Sequence, residues 1–221
     1  MLLAFIMQLT LLTTTINAHT DVVSSYDIYK LLSTHGFQSI GDKFRPQLQG
    51  LSETLNKFFN EAATDQAGDV PFMVDQDFGQ LATDLARAMN SYGQTLINKP
   101  VVKKVSQAAT LLNQLAIDIH TKFGPLVKGQ TRPRQSLYSQ TISSALVGLS
   151  GMIGPMLNPE DRATKFLPVI VDFFGQIGRS VDDVLKKQLP NLKAPAVADT
   201  VKQFDQKWVD TMKQIDGIFK S

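Results

Sequence analysis

The chain contains no cysteine. That excludes disulfides, thiol nucleophiles, thiolate metal sites and iron–sulfur clusters together. It carries three histidines, His19, His35 and His120, and no two of them stand at a metal-ligand spacing. Glycine-rich phosphate loops are missing. So is the G-x-S-x-G nucleophile elbow, because Gly148-Leu149-Ser150-Gly151 has the wrong spacing. No Asn-x-Ser/Thr sequon occurs. No alternation of apolar and polar residues is sustained, which removes the strand signal. The formal charge of +2 is too small to make nucleic acid a default partner. With no catalytic nucleophile, base or metal cluster legible, the expectation is a non-enzymatic protein with no cofactor and no metal.

Charge is absent from two stretches. The first is Met1 to Ile16, an apolar run followed by the small residue Ala18. It reads as a signal peptide over 1–18, leaving 19–221 as one secreted, extracellular domain. The run is too short for a spanning helix. An oxidising destination without disulfides means that packing alone must hold the fold. A chain of this length buries about 70% of its unfolded surface, which suffices.

The second stretch lies between Arg134 and Glu160. Its centre, Ala145 to Leu157, is small or apolar around the whole helical circumference, the pattern of an element buried on all sides. Gly148, Gly151 and Gly154 recur every third residue. Each costs about 1 kcal/mol of helix propensity, so close approach by a neighbour is the expected reason for them. Just before this stretch come Lys122, Lys128, Arg132 and Arg134, with no acid between Asp118 and Glu160. That basic segment is expected to form a loop and to suit an anionic surface such as a membrane.

What the sequence has in abundance is the 3–4 spacing that gathers apolar residues on one helix face. Val101, Val105, Ala108, Leu112, Leu115 and Ile119 form one such stripe; Gly124-Pro125 should end it. Val201, Phe204, Trp208, Met212 and Ile215 form another, with Trp208 as a core anchor. Ser25 is expected to cap the first helix and Gly36 to end it. Pro46 and Pro168 should kink or delay their helices. Asn158-Pro159-Glu160-Asp161 reads as a helix start, with a cap, an early proline and acids at the positive end of the dipole. His35 and His120 suit helix ends, and the acidic pairs Asp75/Asp77 and Asp182/Asp183 suit solvated faces. The predicted fold is all-α: a single-domain antiparallel bundle of six or seven helices after the signal peptide.

The remaining signal is apolar width. Adjacent pairs such as Phe173-Phe174 cover more of a helix than one seam requires. An apolar ligand, a lipid or fatty acid, is therefore expected between two helices. Leu149, Gly151, Met152 and Met156 would line one side, and Phe166, Ile170, Phe173 and Phe174 the other. In composition the chain resembles small secreted helical lipid carriers such as the exchangeable apolipophorins of arthropods, though these are richer in charge than the 19% here. The alternatives are a secreted effector of the salivary, venom or parasite type that acts on a host or other extracellular protein, and a helical toxin that inserts its charge-free segment into a membrane.

Overall fold

The computed structural model describes residues 27–64, 69–129, 147, 151 and 156–221. Among them the regular elements are all helical, and none is a strand. Seven longer helices occur: α1 (Ile28–Thr34), α2 (Gln38–Lys43), α3 (Arg45–Thr64), α4 (Gly79–Gly93), α5 (Lys99–Val127), α6 (Leu167–Gln188) and α7 (Pro195–Lys220). The expected signal peptide over 1–18 and most of the charge-free stretch lie outside the described residues.

Local chemistry accounts for the boundaries. Asp27 caps α1, its carboxylate accepting from the Lys30 amide at 2.9 Å; the expected cap, Ser25, lies outside the described residues. Gly36 follows α1 with φ +79°, a conformation other residues rarely adopt. Pro46 kinks nothing. It sits in the first turn of α3, where a missing amide costs least. Asn98 caps α5 through the Val101 amide at 3.3 Å. Asn158 accepts from the Asp161 amide at 2.8 Å, so the expected start at Asn158-Pro159 is present.

Two helices are entered through a widened turn. A single turn at Val70–Phe72 passes into a π turn at Met73–Phe78 and then α4. Another at Pro159–Asp161 passes into a π turn at Arg162–Phe166 and then α6, which carries Pro168 in its first turn. A π turn inserts one residue and leaves backbone groups that need other partners. At the second, the Tyr92 hydroxyl donates to the Arg162 carbonyl at 2.5 Å.

One expected boundary is wrong. α5 does not stop at Gly124-Pro125 but runs through Pro125 to Val127. A mid-helix proline costs about 3 kcal/mol. Continuing, however, keeps Phe123 and Val127 on the face of Ile119, and all three are buried. Lys122 is therefore on a helix, and of the basic segment only Lys128 is seen at its end.

The core is organised around a line of rings. Phe59 and Phe58 of α3 lie 4.9 Å apart, Phe58 and Phe78 of the first π turn 6.2 Å, and Phe78 and Trp208 6.3 Å. Trp208 then meets Phe204 at 5.9 Å on α7, and Phe204 meets Phe123 of α5 at 5.7 Å. Trp208 is fully buried, and its Nε1 finds no acceptor among the described residues. Its contribution is thus packing. Replacing Trp208 with Ala should cost about 3–5 kcal/mol of unfolding free energy, as ring deletions in cores do. Trp208→Phe, which keeps most of the ring contact and loses no hydrogen bond, should cost much less. Urea denaturation of the two variants measures the difference.

Candidate functional site

The described residues among those expected to line an apolar site fall in different settings. Leu149 and Met152 lie outside the described residues, as do Arg132 and Arg134. Phe166 and Phe173 are core residues. Phe166 stacks edge-on with Phe37 at 5.5 Å and lies 6.0 Å from Tyr92. Ile170 is half-buried against the core. Met156 is exposed. Gly151 is exposed too, and a Cβ there would meet no described residue within 4 Å. Phe174 borders a cavity, and the helix on the cavity's other side is α7.

That cavity is a groove of about 380 Å³ along the α6–α7 seam. The seam is drawn together at Gly178, where a Cβ would fall 2.8 Å from Met212 Cγ. No larger residue fits without moving that side chain. Away from this point the seam widens. Phe174 and Gly175 from α6 and Met212 and Ile215 from α7 supply apolar lining. A second cavity of about 330 Å³ shares Val171, Asp172, Asp216 and Lys220 with the first and continues to Leu167, Phe219 and Lys104.

The groove's charges sort by partner. His35 Nε2 meets Asp172 Oδ2 at 2.8 Å, so His35 does more than end α1. Lys220 donates to Asp216 at 2.5 Å, and Lys186 to Asp182 at 2.7 Å. Arg179 and Lys213 are exposed at the groove and form no ion pair within 4 Å among the described residues. Its acids are therefore occupied, while two cations are available to an anionic group.

At one wall of the groove two carboxyls meet across the helices. Asp182 of α6 lines the groove, and Asp205 of α7 is 8% exposed. Each has a buried Oδ1 with no hydrogen-bond donor among the described residues. Burial, then the charge of Asp182 and a hydrogen bond to it, push the Asp205 carboxyl up to about 7; Lys186 opposes the rise. A second carboxyl close by in a poorly solvated seam disfavours the charged form, which is the direction of the Asp205 shift. Asp182 does not sit on a solvated face, as expected from Asp182/Asp183. A signal was present for Asp205, which sits four residues after Val201 and three before Trp208, inside an apolar stripe.

Asp75 also departs from expectation. It is 2% exposed, on the first π turn, and accepts from His120 Nδ1 at 2.9 Å and from Gln76. His120 is not at a helix end, because α5 continues past it. The pair fastens the π turn to α5. Among the described residues no group of three or more His, Asp or Glu could hold a metal ion, and no helix is long and apolar enough to cross a membrane. No family model, no curated protein and no solved structure matches the chain.

The acid pair predicts how stability follows pH. The Asp205 carboxyl is raised from 3.8 to about 7 in the folded chain, so between about pH 4 and 7 the folded state holds a proton that the unfolded state has released. Stability from this site is therefore intact below pH 4, falls as pH rises through that window, and is level above it. Asp205→Asn removes the titration while keeping the shape. Urea midpoints at pH 5 and pH 7.5 should lie closer together in the variant than in the parent.

Proposed function

We propose that the chain is a secreted, non-enzymatic binding protein whose α6–α7 groove holds an amphipathic apolar ligand of the fatty-acid class. One observation carries this reading: a groove with apolar side chains along its lining, at whose edge Arg179 and Lys213 form no ion pair within 4 Å among the described residues. An acyl chain would lie along Phe174, Gly175 and Ile215, and its carboxylate would face Arg179. Each of the two joined cavities falls in the range of about 300–1,000 Å³ usual for small-molecule sites. The apolar ligand expected from sequence is kept in this reading, and its place moves to the seam between α6 and α7.

The same reading includes a single-domain antiparallel bundle released by removal of residues 1–18. Contacts in reverse order along paired helices support the antiparallel arrangement. Asp182 faces Asp205, Gly178 faces Met212, and Asp172 shares a cavity with Asp216. The uncharged run from Met1 supports secretion. Lys122, Lys128, Arg132 and Arg134 would offer a further contact to anionic surfaces.

Gly175 provides the test. A Cβ there would meet only the Arg179 guanidinium, at 3.7 Å, so a larger side chain is accommodated and enters the groove. Removing a mid-helix glycine also favours the helix. The secreted chain should bind a fluorescent fatty acid saturably. Gly175→Leu should weaken that binding by roughly tenfold, equivalent to about 1.4 kcal/mol, with the helical circular dichroism signal unchanged. Arg179→Ser with Lys213→Ser should weaken binding of the acid and leave its methyl ester unaffected. Absence of saturable binding to fatty acids, sterols and phospholipids alike would refute the proposal.

A further inference from the structure

The link between α4 and α5 forms an apolar tip set among cations. Leu96 is buried and anchors the link, while Ile97 beside it is 75% exposed. The backbone holds it in place: the Thr95 amide donates to Tyr92 at 2.9 Å, the Leu96 amide to Gly93 at 3.2 Å, and Asn98 caps α5. A second exposed apolar residue is brought to the same end. Arg162 donates from Nε to the Leu157 carbonyl at 3.0 Å and from Nη1 to the Thr95 carbonyl at 3.1 Å. That guanidinium clamps the segment bearing Met156, itself 41% exposed, against the link bearing Ile97.

The charge on the link and the first turns of α5 is positive. Lys99 and Lys103 are exposed, and neither they nor Lys104 form an ion pair among the described residues. No Asp or Glu occurs between Asp84 and Asp118. The acids on facing elements are Glu160, Asp161 and Asp216; Asp161 pairs with Lys165 at 2.7 Å and Asp216 with Lys220. Val102, Lys99 and Lys103 border a shallow surface with Ile97. A second copy of the chain would bring the same positive patch to this one, which repels across a two-fold contact.

We infer that this tip is a docking surface for anionic phospholipid bilayers, with Ile97 and Met156 entering between headgroups and Lys99 and Lys103 resting on their charge. An amphipathic patch needs both parts. Shallow burial of one or two side chains is weak alone, and the lysines gain from a negative surface only within a Debye length of it. The patch lies about five helical turns along α5 from Lys122. It adjoins the groove, because Lys104 lines the second cavity together with Phe219. The inference does not depend on what that groove holds.

Co-sedimentation of the secreted chain with vesicles tests it. Vesicles of phosphatidylcholine with phosphatidylserine should carry the protein down, and vesicles of phosphatidylcholine alone should not. Added salt should release it. Ile97→Ser, at an exposed position, should reduce the bound fraction's partition coefficient about tenfold. Lys99→Gln with Lys103→Gln should reduce it similarly and flatten its salt dependence. Lys202→Gln, about four helical turns along α7 from Ile218, which borders the same shallow surface as Ile97, should change nothing. Vesicle binding that Ile97→Ser leaves intact would mean that the apolar tip takes no part, and would overturn the inference. Failure to sediment with the anionic vesicles overturns it as well. The fatty-acid titration uses no vesicles, so either result can fail without the other.

Discussion

Trp208 sits where four segments of the chain need one another. Phe58 of α3 reaches it through Phe78, Phe78 is placed by a π turn, and Phe123 of α5 reaches it through Phe204. A chain without disulfides has no covalent restraint on its unfolded state. Its order must come from many weak contacts made together, and large rings supply the most contact per residue ordered. The line of rings also explains why Pro125 is tolerated. Phe123 anchors the end of that line, and releasing the last turn of α5 would expose both Phe123 and Val127.

Apolar packing does not by itself fix register, and a few buried polar contacts do so here. Asp75 reaches His120, and the Gln188 amide donates to the Ala62 and Ala63 carbonyls at 3.2 and 3.1 Å. Tyr92 reaches Arg162, and its hydroxyl pKa is raised by burial. Each joins segments distant in sequence. Each would be left as a costly unpaired group if the helices slid by a turn. Two of the three involve a π turn, where extra backbone groups or a redirected side chain make a specific partner necessary.

The helices were legible because their apolar spacing is local. Val105, Ala108, Leu112, Leu115 and Ile119 were read as one face, and all are buried. Signals that depend on distant segments misled. Gly124-Pro125 is a stop by local chemistry, and only the demand for Phe123 in the core overrides it. Asp75 and Asp182 look like solvated acids because the partners that bury them lie on other helices. Phe173-Phe174 promised width, but periodicity cannot say which neighbour uses it. Phe173 went to the core and Phe174 to the seam with α7. Gly175 and Gly178, which shape that seam, were not singled out, although their spacing on one stripe was there to read.

The α6–α7 seam combines features that work against each other in stability. Gly178 lets the helices touch and Gly175 keeps them from filling the space beside that contact, at a cost of about 1 kcal/mol of helix propensity apiece. Asp182 and Asp205 add buried carboxyl oxygens with no donor among the described residues, where an apolar pair would be more stable. A seam under selection for stability alone would lose both glycines and both acids. Their joint presence along one groove, beside Arg179 and Lys213, is what a binding function would preserve. The acids matter to such a function through charge: as pH rises through about 7 the Asp205 proton leaves and the wall of the groove becomes more negative. An anionic headgroup near Arg179 would then be held less tightly, so binding of an ionised fatty acid should weaken above neutrality, whereas binding of its methyl ester should not.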